Sequence, residues 1–244
     1  MDLENSWTIA AKDFDTFRRQ KRILFSLVLL PLVLSIGLPG IIWLLIQLRS
    51  SPAELITVLL DAFSFYFIIL ACLLPITLAS YSIVGEKIEK SLEPLLATPI
   101  TDGELLFGKS LAAFLPSIAA TYIGTVIFIP LADALTYDRL GYLFFPNENM
   151  TVILLLMLPL SCMLSVEMNV IISSRANDLR TAQDLGLLIL LPFGAIYVLF
   201  EANFIPFNEI NLLIISAFIA VADVILFYLS RIAFRREEIL TRLK

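Results

Sequence analysis

Six long apolar segments dominate this chain of 244 residues and limit what it can fold into. They lie at residues 23–48, 55–84, 110–131, 151–172, 185–200 and 210–234. An apolar helix of about 20 residues crosses the hydrocarbon core of a bilayer with all its backbone hydrogen bonds satisfied. Only 16% of the residues are charged, against about a quarter in soluble domains, and the mean hydropathy is +0.91. The sequence therefore predicts an all-α polytopic membrane protein with one transmembrane domain, residues 1–244.

Two of these segments depart from the length that a simple crossing needs. Residues 55–84 are longer than one crossing, so we expect the helix to tilt or its inner end to project beyond the membrane. Residues 185–200 are short and contain Pro192, which has no amide hydrogen. For this fifth segment we expect either a kink or an extension through a re-entrant piece toward Phe207.

An amphipathic helix is predicted before the first span, at residues 5–22. Apolar residues recur there at helical spacing, and charged residues lie off that stripe. The stripe consists of Trp7, Ala10, Ala11, Phe14 and Phe17, and the charged residues off it are Lys12, Asp13, Asp15, Arg18 and Arg19. Such a helix lies in the membrane interface. The apolar run that follows is too long for the core of a signal peptide, so we expect the N-terminus to be retained.

The distribution of basic residues predicts the orientation of the spans. With six crossings and both termini in the cytoplasm, 15 of the 17 lysines and arginines fall on the inner side. Arg49 and Arg139 are the two that fall outside. Because cytoplasmic loops are enriched in Lys and Arg, we expect both termini and residues 85–109 to be cytoplasmic.

Residues 85–109 are the longest polar interruption in the first half of the chain. Glu86 and Lys90 stand four apart in the favourable order, so the second span is predicted to continue as a helix below the membrane. Pro94 then interrupts that helix, and Thr98 followed by Pro99 requires extended backbone that ends a short second helix. The sequence predicts a cytoplasmic helical hairpin.

The third span is predicted to begin below the membrane. Thr101 and Glu104 have the spacing of a capping box, which starts a helix at its N-terminus. We expect the side chain of Lys109, in the first turns of that helix, to reach down to the interface.

These residues resemble the cytoplasmic signature of ABC-2 type permeases, the membrane subunits of ATP-binding-cassette exporters. The resemblance rests on Ser-Leu-Glu-x-Leu-Leu-x-Thr-Pro at residues 91–99 and Glu-Leu-Leu-x-Gly-Lys at residues 104–109. The usual pattern has Gly-Thr where this chain has Lys90 and Ser91. The six-span layout, the N-terminal helix and residues 173–183 extend the resemblance over nearly the whole chain.

The resemblance implies that residues 85–109 form a coupling hairpin, which docks in a groove of a separate ATPase subunit. The implied coupling residues are Glu86, Glu89, Leu92, Glu93, Leu95, Leu96, Thr98 and Pro99. It also implies a complex in the plasma membrane of two ATPases, which hold ATP and Mg²⁺, with this chain and a second permease copy or homologue. In that complex this chain has no catalytic residue, cofactor, metal or nucleic-acid partner of its own.

Residues 103–110 also satisfy the GxxxxGK[ST] pattern of a phosphate-binding loop. Such a loop follows a buried strand in an α/β domain, whereas this stretch opens a membrane-spanning helix, so we do not expect nucleotide binding here. The chain contains no histidine, which excludes imidazole chemistry and most zinc sites. Cys72 and Cys162 lie inside apolar runs and are interpreted as buried packing residues.

Four carboxylates fall within or beside the apolar segments. Asp61 and Glu201 lie near outer ends and Glu167 near an inner end, where contact with water would explain them. Asp223 lies near the middle of the sixth span, so it is protonated, hydrogen-bonded inside the bundle or exposed to a wet pathway. Asp223 and Glu167 are the possible pathway residues.

Three alternatives to an ATP-driven permease stay open. An ion-driven secondary transporter would use Asp223 and Glu167 as proton sites. An intramembrane enzyme is disfavoured because no nucleophile and base stand at matching depth. A membrane scaffold would hold an ATPase without moving a substrate.

Overall fold

The computed structural model describes residues 3–49, 52–88 and 100–233, and every element in these ranges is helical. Helix α1 (Leu3–Arg19) is separated by Gln20 from α2 (Lys21–Arg49). Gln20 accepts and donates backbone hydrogen bonds across this break, because its amide reaches the Phe17 carbonyl while its own carbonyl accepts from Ile23 and Leu24. The two helices therefore meet at a short corner.

The second span continues past its predicted end as a helix with a widened turn. Helix α3 (Ala53–Ser80) runs into a π-helical segment (Tyr81–Gly85) and then into the short helix α4 (Glu86–Ile88). Such π turns are rare and occur often at functional sites. The remainder of the predicted hairpin, residues 89–99, lies outside the described residues.

Helix α5 (Asp102–Leu140) forms the third span and is much longer than the predicted segment 110–131. The predicted capping box is present, since the Thr101 hydroxyl accepts from the Glu104 amide and the Glu104 carboxylate accepts from the Thr101 amide. At the other end Gly141 stops the helix in the left-handed conformation, with φ of 74°. At 1.5 Å per residue, its 39 residues extend roughly 58 Å, about twice the thickness of a hydrocarbon core.

The fourth span is also irregular at its start. Helix α6 (Glu148–Val152), capped by the Asn147 side chain, passes through a π-helical segment (Ile153–Met157) into α7 (Leu158–Arg175). Pro159 stands at the start of α7 and has no amide hydrogen to donate to the preceding turn, which favours the irregular geometry there.

The fifth span begins earlier than predicted and is interrupted. Helix α8 (Leu179–Gly186) leads through a 3₁₀ turn (Leu187–Ile189) into α9 (Leu190–Glu201). The turn immediately precedes Pro192, as expected of a residue that cannot donate to the carbonyl four positions back. No helix extends from α9 to Phe207; that side chain packs edge-on against Phe200 instead, with ring centroids 5.1 Å apart. The last span is α10 (Glu209–Ala233).

Six helical stretches in the described part of the chain are long and apolar enough to cross a bilayer, which confirms the predicted number and the all-helical class. They are Ile23–Leu48, Ala53–Ile88, Gly103–Leu140, Glu148–Arg175, Leu179–Glu201 and Glu209–Ser230. Helix α3 lies at the centre and packs on α2, α5, α7 and α9. Its core contacts include Phe67, whose ring lies 5.0 Å from that of Phe128 on α5.

Candidate functional site

The predicted coupling residues divide at the edge of the described chain. Glu86 lies at the start of α4 and is buried. The other seven lie outside the described residues: Glu89, Leu92, Glu93, Leu95, Leu96, Thr98 and Pro99. The structure does describe both flanks of the segment that holds them, α4 before it and the first turns of α5 after it. These flanks are joined by charged side chains.

Lys109, on α5, is the centre of this junction. Its side chain is 1% exposed, and its Nζ lies 2.7 Å from Glu86 Oε2 and 3.5 Å from Asp13 Oδ2. The same Nζ donates a hydrogen bond of 2.6 Å to the Ser82 carbonyl. The expectation that Lys109 reaches down to the membrane interface is therefore wrong. Three neighbouring acceptors satisfy the ammonium group inside the protein, so it gains nothing from extending to water.

Glu86 connects the two flanks to the N-terminal helix. Its Oε1 accepts a hydrogen bond of 2.8 Å from Lys12 on α1, while its Oε2 pairs with Lys109 on α5. The Lys12 side chain is half exposed, so this second pair is the more strongly solvated one. One carboxylate thus bridges α1, α4 and α5.

Asp13 completes the cluster from α1. It accepts a hydrogen bond from the Ser82 hydroxyl, which lies on the π-helical segment. Burial raises the pKa of Asp13 above its ordinary value, because the loss of water contact outweighs the attraction of Lys109. We define the buried charge cluster as Asp13, Ser82, Glu86 and Lys109, with Lys12 at its exposed edge.

The face that α1 buries differs from the predicted stripe. Asp13, expected among the solvated residues, is 4% exposed, whereas Trp7, expected on the apolar stripe, is 55% exposed. The buried face consists of Ser6, Ile9, Ala10, Asp13 and Phe17. The prediction that Asp13 is solvated is wrong, because α1 packs on α5, which supplies Lys109 as partner for the aspartate. The spacing of four between Ile9, Asp13 and Phe17 was the available signal for this face.

Gly108 allows α1 to approach α5 closely. A Cβ atom at this position would lie 2.7 Å from the Ser6 carbonyl oxygen and 2.9 Å from Ile9 Cβ, so a larger residue does not fit. Residues 103–110 are continuous helix, in agreement with the interpretation that the GxxxxGK[ST] pattern is no phosphate-binding loop here. Its Gly108 serves helix packing, and its Lys109 serves the charge cluster.

Lys87 links α4 to a further span. Its Nζ donates to three backbone carbonyls at the C-terminus of α7, those of Ser174 at 2.7 Å, Ser173 at 3.0 Å and Ala176 at 3.2 Å. A cation at this position satisfies carbonyls that have no helical partner and complements the negative end of the helix dipole. Through Glu86 and Lys87, α4 therefore contacts α1, α5 and α7.

The two possible pathway residues, Glu167 on α7 and Asp223 on α10, are brought together inside the bundle. Glu167 is 3% exposed and Asp223 is 5% exposed, and the two helices that carry them pack against each other. Neither carboxylate has a hydrogen-bond partner among the described residues. Contact with water at the membrane edge, the expectation for Glu167, is therefore not the explanation of this residue.

The carboxylates at the other end of the bundle have different surroundings. Asp61 is half-buried, and its Oδ1 accepts from the side-chain amides of Asn147 at 3.4 Å and Asn149 at 3.5 Å. Glu201 is exposed, as contact with water requires. Cys72 and Cys162 are buried free thiols, in agreement with packing roles. Within residues 3–49, 52–88 and 100–233, no group of three His, Cys, Asp or Glu side chains could hold a metal ion.

Six helical stretches long and apolar enough to cross a bilayer define this protein as a multi-pass helical membrane protein. Comparison with known families is more specific, since residues 7–214 match the ABC-2 family of transporter proteins. The chain belongs to that family. It is also 29% identical over 121 residues to the ABC transporter permease protein NatB of Bacillus subtilis (strain 168). That match covers 48% of this chain and 31% of the relative, so the chain matches about a third of the relative's length.

Proposed function

We propose that this chain is the membrane subunit of an ATP-driven transporter, an exporter, whose ATP is hydrolysed by separate subunits. The observation that carries the proposal is membership of the ABC-2 family. It is supported by the buried charge cluster, which joins the helices that precede and follow residues 89–99. This cluster holds the two flanks of the segment against α1. A displacement of the segment would therefore be passed directly to membrane helices.

In this proposal residues 85–109 are the coupling hairpin. The residues proposed to dock on the ATPase, together with Glu86, are Glu89, Leu92, Glu93, Leu95, Leu96, Thr98 and Pro99. Glu86 anchors the hairpin through Lys12 and Lys109. Closure of the ATPases on ATP and Mg²⁺ would pull on the hairpin and switch the membrane helices between inward and outward access.

The proposed complex contains two ATPase subunits and a second permease, either another copy or a homologue, in the plasma membrane. Both termini and the hairpin face the cytoplasm. The support for this orientation is the excess of Lys and Arg on that side of the chain.

The test is assembly with the ATPase. Replacing Leu95→Asp and Leu96→Asp together should leave the chain in the membrane but remove the ATPase from the purified complex. The matched control replaces Tyr142→Asp and Leu143→Asp, two exposed residues just past the far end of α5. The control should retain the ATPase. If the leucine variant still copurifies with the ATPase at full stoichiometry, the hairpin is not the docking element.

A second candidate, an ion-driven secondary transporter, is favoured by the two buried carboxylates without partners, Glu167 and Asp223. It requires no ATPase. Transport in sealed vesicles separates the two candidates: the ATP-driven transporter needs ATP and continues when ion gradients are dissipated, whereas the secondary transporter stops when the gradients are lost.

A further inference from the structure

A cavity of about 180 Å³ lies between α5, α7 and α10, at the end of the bundle where α5 begins. Its walls are nearly all apolar, and three of the lining side chains are phenylalanines. The main lining residues are Leu106, Phe107, Leu111, Phe114, Met163 and Phe227. A cavity of this kind accepts an apolar group the size of one aromatic ring or a short branched chain.

Among the described residues that line the cavity, Glu167 is the one with an ionisable side chain. It is 3% exposed, and neither of its carboxylate oxygens has a hydrogen-bond partner in the part of the chain that the structure describes. The buried carboxylates of the charge cluster do have partners, since Glu86 pairs with Lys109 and Lys12, and Asp13 accepts from Ser82. Glu167 therefore lacks the partner that such a group requires.

Asp223 is a second acidic side chain near this cavity. It lies on the same face of α10 as Phe227 and Ser230, at spacings of four and seven residues, and these two residues line the cavity. Both of its carboxylate oxygens are buried without a partner among the described residues. Two acidic groups thus stand beside one apolar cavity.

The ligand that satisfies these surroundings carries a positive charge and an apolar body. A cation next to Glu167 supplies the missing counter-charge, which matters most in the low dielectric of the membrane. The faces of the phenylalanine rings attract a cation as well. An anion would be repelled by both carboxylates, and a neutral apolar molecule would leave Glu167 unpartnered.

We infer that this cavity is a binding site for a small organic cation, with its ammonium group at Glu167 and its apolar part among Phe107, Phe114 and Phe227. The site lies within a single copy of the chain and requires no ATPase for binding. It goes beyond the proposed function by assigning a ligand class to a defined cavity.

The test uses the full chain in phosphatidylcholine nanodiscs and radiolabelled benzyltrimethylammonium, a quaternary ammonium with one aromatic ring. We expect saturable binding to the wild-type chain. Neopentylbenzene, its uncharged carbon isostere, should compete at least about tenfold more weakly. Glu167→Gln should weaken binding of the cation at least about tenfold, because the variant lacks the carboxylate that pairs with the ammonium group. Glu201→Gln, an exposed carboxylate outside the cavity, is the matched control and should bind as the wild type does.

Ser110→Leu, which places a larger side chain in the cavity wall, is a second variant and should abolish binding. If Glu167→Gln does not fold, the inference is still tested by Ser110→Leu and by the comparison of the cation with its isostere on the wild-type chain. Equal competition by the isostere, or unchanged binding in folded Glu167→Gln or Ser110→Leu, would overturn the inference. Because this assay contains no ATPase, its failure is distinct from a failure of hairpin docking.

Discussion

Lys109 places its ammonium group where only 1% of the side chain is exposed. Such a charge is stable only when it is paired and hydrogen-bonded, and Glu86, Asp13 and the Ser82 carbonyl meet that need. Removing one partner of a buried ion pair leaves the other charge unpaired, which destabilises by about 3–5 kcal/mol. The charge cluster is thus a feature whose loss should be measurable.

We expect Lys109→Met to lower the midpoint of thermal unfolding clearly in detergent solution. Adding Glu86→Gln and Asp13→Asn to that variant should restore part of the loss, because no unpaired carboxylate is left behind. The control is Arg180→Met, which removes an ion pair with Asp184 whose partners are both largely exposed. This control should unfold like the wild type. An unchanged midpoint in Lys109→Met would mean that the cluster contributes nothing to stability.

Asp13 gives a prediction about pH. Its pKa is raised by burial, so between about pH 4 and its higher folded value the folded chain holds a proton that the unfolded chain has lost. The contribution of Asp13 to stability is therefore largest at low pH and declines as pH rises through this window. Asp13→Asn cannot ionise, so its unfolding midpoint should rise relative to that of the wild type as the pH is raised from 4 to 7. A constant difference between the two unfolding midpoints over this range would contradict the prediction.

The contact between α1 and α5 depends on the missing side chain at Gly108. In Gly108→Val the new atoms would collide with the Ser6 carbonyl and Ile9, so α1 must move away from α5. We expect faster limited proteolysis within α1 and weaker assembly with the ATPase, because Glu86 would lose its contact with Lys12. Gly40→Val is the matched control, since nothing lies within 4 Å of a Cβ atom at that position. Equal protease resistance of the two variants would show that close packing at Gly108 is unimportant.

The helices were predictable from the sequence because each span must satisfy its own backbone hydrogen bonds in the bilayer, which requires a long apolar run. The capping box at Thr101 was predictable for a similar reason, since its partners are three residues apart. Asp13 was not, because its partners Ser82 and Lys109 are 69 and 96 positions away in the sequence. Hydrophobic periodicity predicts that Asp13 is exposed to water, whereas the packing of α1 on α5 buries it.

The full length of α5 was also missed, for a different reason. Hydropathy locates the part of a helix that lies in hydrocarbon, whereas caps determine where the helix ends. Residues 132–140, which include Asp133, Asp138 and Arg139, lie beyond the predicted span 110–131, yet the helix continues to the left-handed Gly141. Asp133 is buried near this end, where its Oδ1 accepts from the amides of Phe144 and Phe145. A long helix of this kind carries contacts from one end of the bundle to the other.

In the molecule as a whole, α4 is the point where several helices meet. Glu86 joins it to α1 and α5, and Lys87 joins it to the C-terminus of α7. Helix α7 in turn carries Glu167 to the cavity described above. A movement of residues 89–99 would thus displace α4. Because Lys87 of α4 binds the C-terminus of α7, the displacement would pass to α7 and so to the cavity.

The orientation of the bundle can be tested by cysteine labelling, because both native cysteines are buried. Leu143→Cys and Phe204→Cys place a thiol in exposed loops at one end, and Ile88→Cys and Asn177→Cys place one at the other. The excess of positive charge predicts that the second end faces the cytoplasm. In intact cells a membrane-impermeant maleimide should react at positions 143 and 204, and at positions 88 and 177 only after permeabilisation. Reaction at position 88 in intact cells would place the hairpin outside, where no ATPase supplied with cellular ATP could drive it.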